Sequence, residues 1–175
     1  GSIISITYKQ EKYIRDTLEG FVKQKTDFPV EVIIADDHSK DGTPAIIKEY
    51  EEAHPDIFKP IYRTKNFGPW QNFTDALKKA TGEYVTICEG DDYWTNSQKL
   101  QKQVDFLDAS PDYALCFHAV QVKFEDHSQK DYVFPDRTKG FTVEALLSEN
   151  FIQTNSVMYR RQNCVKLAKD IVPGD

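Results

Sequence analysis

The chain has 175 residues, with 22 lysines and arginines against 28 aspartates and glutamates, a net charge of −6, and 39% hydrophobic and 13% aromatic content. That fits one folded domain and excludes a disordered chain. The acidic balance argues against a nucleic-acid partner, whose binding surface must neutralise phosphates, and no apolar run approaches the ~18 residues that mark a membrane span.

The predicted elements alternate. Ile3–Thr7 is a continuous β-prone run; it lacks the basic start and cleavage site of a signal peptide. Across 11–25, Tyr13, Ile14, Leu18, Phe21 and Val22 recur at helical spacing. Residues 30–35 form a second buried strand. Thr43-Pro44 supplies a cap and a first-turn proline for a helix through Ile46, Ile47 and Tyr50, ending near His54-Pro55. Residues 59–63 are a third strand. Gly68-Pro69 opens a helix with Trp70, Phe73, Ala76, Leu77 and Ala80 on one face, and Tyr84–Cys88 is a fourth strand. Strand–helix–strand repetition predicts a mostly parallel sheet covered on both sides. Beyond it the spacing predicts a helix over 97–107, a long strand over 113–124 with a hairpin partner at 132–134, a short helix over 141–147, a strand over 156–159 and a helix over 161–169. The three cysteines (Cys88, Cys116, Cys164) are odd in number and widely spaced, unlike a disulfide framework or a zinc site, and favour a reducing compartment. The chain stops at Pro173-Gly174-Asp175 with no closing element, the pattern of a fragment or a disordered remainder.

Ligands of such sheets bind beyond the carboxyl ends of the strands, and two acidic clusters fall there. In Asp36-Asp37-His38-Ser39-Lys40-Asp41-Gly42, a carboxylate accepts hydrogen bonds only, which suits a base ring N–H or a ribose hydroxyl. The alternative is an Asx-type turn. In Glu89-Gly90-Asp91-Asp92, adjacent carboxylates repel unless a cation sits beside them. Mg²⁺ or Mn²⁺ does this with one or two carboxylates plus substrate phosphates; the alternative is a solvated turn ahead of a helix.

Taken together with Ile4–Tyr8, Glu11 and Ile14, Asn66-Phe67-Gly68 and Ala80-Thr81-Gly82-Glu83-Tyr84, the two clusters resemble a family 2 glycosyltransferase of the GT-A fold. The resemblance runs from about residue 3 to 110 and weakly to the end. It implies one α/β domain over 1–175 with a Rossmann-like, mostly parallel sheet flanked by helices and a smaller antiparallel acceptor-side element. Residues 1–110 would be the nucleotide-sugar half and 111–175 the acceptor half. It further implies that Thr7, Tyr8, Glu11, Asp36, Asp37, Asn66 and Asp91 surround a nucleotide-sugar donor, that Asp92 is the metal ligand for Mn²⁺ or Mg²⁺, and that Asp175 occupies the place of the general base of an inverting transfer. The implied acceptor is a glycan or a lipid-linked saccharide, as in cell-surface polysaccharide assembly, with the domain in the cytoplasm, at the inner membrane face.

A sugar nucleotidyltransferase would need a Gly-rich, basic loop after the first strand, where this chain has Ile6-Thr7-Tyr8-Lys9. A non-catalytic nucleotide- or carbohydrate-binding module stays open. Trp70 and Trp94 read as core aromatics, His118 as satisfied structure, and Arg160-Arg161 as a solvated face.

Overall fold

The structure is a computed structural model that describes residues 1–135 and 142–163. The first four strands are β1 (Ser2–Thr7), β2 (Glu31–Asp36), β3 (Phe58–Tyr62) and β4 (Tyr84–Ile87), separated by helices α1 (Ile14–Val22), α2 (Thr43–Ala53) and α3 (Pro69–Lys78). Helix α4 (Lys99–Ala109) follows, then β5 (Leu115–Cys116), β6 (Val120–Val122), β7 (Tyr132–Phe134), α5 (Val143–Ser148) and β8 (Met158–Arg160). One sheet has the order β3-β2-β1-β4-β8-β5, and β6 and β7 form a separate antiparallel pair. Strands β1 to β4 are parallel, whereas β8 runs antiparallel to both β4 and β5.

The alternation of side chains across the pleat sorts the core into two layers. Ile3, Val32 and Ile34 face one way and pack with Leu18 of α1, Ile47 of α2 and Leu107 of α4. Ile4, Ile33 and Val85 face the other way, against Ala76 and Leu77 of α3. Each such buried aliphatic side chain contributes about 1.5–3 kcal/mol. Helices α1 and α2 therefore cover one face and α3 the other. The winding reverses between β1 and β4, which makes their carboxyl ends the topological switch point.

Three readings change on contact with the fold. The long strand over 113–124 is two strands in two sheets: β5 pairs with β8 through Leu115↔Tyr159 and Cys116↔Met158, and the chain then leaves to pair Val120–Val122 with β7. Thr43 is the first residue of α2 rather than its cap; its Oγ1 accepts the Gln10 N–H at 3.0 Å, while Asp41 accepts the Thr43 N–H at 3.1 Å. Arg160 is a brace, not a solvated residue: its guanidinium donates to the Tyr113 and Leu107 carbonyls and to the Tyr84 hydroxyl. Most of the helix expected over 161–169 lies outside the described residues.

Glu31 shows how the amino ends of the strands are closed. Its buried carboxylate accepts Ser2 Oγ, Thr81 N–H and Thr81 Oγ1 and pairs with Lys59. Burial pushes this acid up, but those bonds outweigh it and hold it at about 2.

Candidate active site

The two acidic clusters are fastened to one strand end. From one side, the Asp37 N–H donates to the Thr7 carbonyl at 3.0 Å; from the other, the Gly90 N–H donates to the Ile6 carbonyl at 3.1 Å. The clusters thus flank β1, two strand spacings or about 10 Å apart. Gly90 is needed here: a Cβ would lie 2.3 Å from Gln10 Oε1 and 2.8 Å from Thr7 Oγ1.

At the β2 end, both aspartates are buried and engaged. Asp36 accepts the N–H and the hydroxyl of Ser39; burial, with the charges of Asp41 and Asp37, raises it against the opposing effect of those bonds. Asp37 accepts the Phe67 N–H on Oδ1 and the Gly68 N–H on Oδ2, each at 2.8 Å, and Asn66 Nδ2 donates to the Asp37 carbonyl at 3.3 Å. Asp37 therefore shapes the turn that carries Asn66. Glu11 accepts the Gly42 N–H at 2.9 Å while its own N–H donates to Asp41, so it ties the loop after β1 to the loop after β2. Thr7 is buried with no partner for its hydroxyl, and Tyr8 stands exposed beside it, capped by Lys9 Nζ at 5.0 Å from the ring centre.

At the β4 end, Asp91 is exposed and Asp92 half-buried. The backbone of this turn is pinned from α1: the buried Thr17 hydroxyl lies 2.7 Å from the Asp92 carbonyl and 3.1 Å from that of Gly90. Burial first, then the charges of Asp91 and Glu89, push the Asp92 carboxyl up to about 6, against a hydrogen bond from the Asn155 side chain. Glu89 is raised by burial and by Asp91. Such crowding invites a cation. Among the described residues no three His, Cys, Asp or Glu side chains converge closely enough to hold an ion unaided. The donor set therefore fits a hard dication held by one or two carboxylates and completed by phosphate oxygens.

Asp91 and Asp92 open on a cleft of about 1130 Å³, whose lining includes Tyr93, Trp94, Lys99, His118, Asn155 and β6 with the residues that follow it up to Asp126. Trp94 is core, edge-on to Phe21 at 5.0 Å, whereas Trp70, expected inside, is 55% exposed. His118 is not fully satisfied: Nδ1 pairs with the Ala119 carbonyl but Nε2 is buried without a partner, as is Asn155 Oδ1. Sequence reasoning missed Gln10, Thr17 and Lys99 as site residues, whereas Asn155 falls in the Gln153-Thr154-Asn155-Ser156 segment that reads as a lining of the acceptor side. Lys99 left a signal, a lysine on the face that carries Leu100, Gln103, Val104 and Leu107, all buried. Thr17 left none, because its role exists only across the contact between α1 and the β4 turn. Asp175 lies outside the described residues. No helix among the described residues is long and apolar enough to cross a membrane.

Glycosyl transferase family 2 matches residues 2–166, and the chain belongs to that family. Among relatives, an uncharacterized protein of Mycobacterium tuberculosis is 56% identical over 163 residues, 92% of this chain and 47% of its own length. The putative teichuronic acid biosynthesis glycosyltransferase TuaG of Bacillus subtilis is 30% identical over 161 residues, 92% of this chain and 62% of its length. The Staphylococcus aureus TarS 1–349 structure, solved in complex with UDP-GlcNAc, superposes with a TM-score of 0.72 at 26% identity, covering 97% of this chain and 47% of that one. The mannosyltransferase PcManGT of Pyrobaculum calidifontis, solved with GDP-Man and Mn²⁺, has a TM-score of 0.69 at 24% identity over 95% of this chain and 46% of its own, and shows the shared GT-A fold. The chain spans about half the length of the first of these relatives and of both solved structures.

Proposed function

We propose that this chain is the donor-binding part of an inverting, metal-dependent glycosyltransferase that moves a sugar from a UDP-sugar to a glycan or lipid-linked acceptor. The observation that carries the reading is the pair of acidic clusters fastened to the two sides of β1, with Asp91 and Asp92 at the mouth of the cleft. Family membership and the UDP-GlcNAc bound by TarS support the donor class. The name of TuaG supports a cell-envelope acceptor.

In this reading the base sits against Tyr8 and Thr7, within reach of the outward lone pairs of Asp37 and of Asn66. Asp36 and Glu11 hold these loops in register through Ser39 and Gly42. Asp91 faces the ribose or the donor sugar, and Asp92 ligates Mn²⁺ or Mg²⁺. Held there, such an ion would supply positive charge against the departing diphosphate. The chain's own contribution is positioning, with the sugar held at the mouth of the cleft and the acceptor approaching through it. Asp175 remains the proposed base for the acceptor hydroxyl, and a cytoplasmic site at the inner membrane face the proposed location.

Calorimetric titration of UDP into the chain with Mn²⁺ and with EDTA tests this. Binding is expected only with Mn²⁺, weakened by about 10-fold or more in Asp92→Asn. Unchanged heats in that variant would overturn the metal assignment, and no heat in the parent chain would overturn the donor site.

A further inference from the structure

Lys99 is nine-tenths or more buried, and among the described residues no carboxylate pairs with it. Burying an unpaired ammonium is costly where an apolar side chain of similar size is not, so its presence there asks for a reason. Three contacts of its Nζ lead to one place. Its Nζ lies 4.1 Å from the centre of the Trp94 ring, and Trp94 Nε1 donates to the Asn155 carbonyl at 2.9 Å. Its Nζ also donates to Gln103 Oε1 at 2.7 Å, and Gln103 Nε2 donates to the Ser156 carbonyl at 2.9 Å. On its third side is Thr86 Oγ1, at 3.3 Å, which donates to the Val157 carbonyl at 2.7 Å. Three routes from one ammonium thus pin three consecutive residues, 155 to 157. The first of them, Asn155, lines the same cleft as Asp92, and its side chain holds the Asp92 carboxyl down against the effect of burial.

We infer that Lys99 is a positioning residue for Asp92, acting through Trp94, Gln103 and Thr86 on the 155–157 segment that carries Asn155. The cation draws the indole face and two polar side chains onto itself, and these set where the Asn155 side chain meets the carboxylate. Outer partners of this kind orient a metal-binding carboxylate and commonly matter about as much as the ligand's own bonds. The inference rests on the proposed donor site and adds a residue on another helix to it.

The test is Mn²⁺ binding followed by electron paramagnetic resonance, with UDP present, alongside the melting temperature of each variant. Lys99→Met and Asn155→Ala are expected to weaken Mn²⁺ binding by about 10- to 100-fold. Trp94→Phe keeps the ring but loses the Nε1 donor, and is expected to weaken it less. The double variant Lys99→Met/Trp94→Phe should be little worse than Lys99→Met, because both act along one path. A purely structural lysine would instead lower the melting temperature and leave Mn²⁺ affinity within about threefold of the parent, inside ordinary mutational scatter, and that result overturns the inference. If Lys99→Met fails to fold, Trp94→Phe and Asn155→Ala decide: parent-like affinity in both sinks it. Absence of Mn²⁺ binding in the parent chain itself would instead remove the donor-site reading, and this inference with it.

Discussion

Single residues at this site act mostly as fasteners. Thr17 is fully buried in the middle of α1, yet its hydroxyl serves two carbonyls of the acidic turn. Replacing it with the isosteric valine leaves those buried acceptors short of a donor, a loss of about 1–3 kcal/mol. Thr17→Val should therefore lower the denaturation midpoint and also weaken Mn²⁺-dependent UDP binding, both measurable on the same sample. Asp37 works similarly: with Phe67 and Gly68 N–H groups on its two oxygens, an amide in its place would set an NH₂ against a donor. Loss of UDP binding in Asp37→Asn thus needs a melting curve beside it before it is read as a lost base contact.

At the level of elements, the turn from β3 into α3 is where backbone geometry is most demanding. Gly68 precedes the helix with φ 85° and ψ 159°, a conformation that side chains resist. Nothing lies within 4 Å of a Cβ built there, so Gly68→Ala isolates the backbone cost, expected at about 1–3 kcal/mol in chemical denaturation. The first four strands and three helices were legible because their apolar residues recur with clean periods, and the glycine-proline and threonine-proline pairs mark helix starts. The region after Leu107 was less so. β propensity over 113–124 is continuous, but it cannot say that Cys116 pairs with Met158 while Val120 pairs with Phe134. The acidic clusters were legible as placed at strand ends. The groups that hold them were not, since Thr17 and Asn155 reach them across 75 and 63 positions of chain and neither carries a local motif.

For the whole molecule, the buried ammonium of Lys99 gives stability a pH dependence. Burial lowers it from 10.5 to about 7, so below about 7 both states carry the proton and the folded chain bears the full penalty. As pH rises from about 7 towards 10.5 the folded lysine is neutral while the unfolded one is still charged, and the penalty is relieved. The parent chain should gain stability relative to Lys99→Met across the lower part of that window, on the order of several kcal/mol at most, read from denaturant midpoints at successive pH values. A flat difference would place the ammonium in contact with solvent. The sheet order has its own consequence. Strand β8, the last to be synthesised among the described elements, slots between β4 and β5. Until residue 160 has left the ribosome, β4 has an unpaired flank with Tyr84, Val85 and Thr86 along it, an edge of the kind that recruits other chains. Nascent polypeptides halted short of that point would be clients for chaperones, even though every strand that carries the acidic clusters has already emerged.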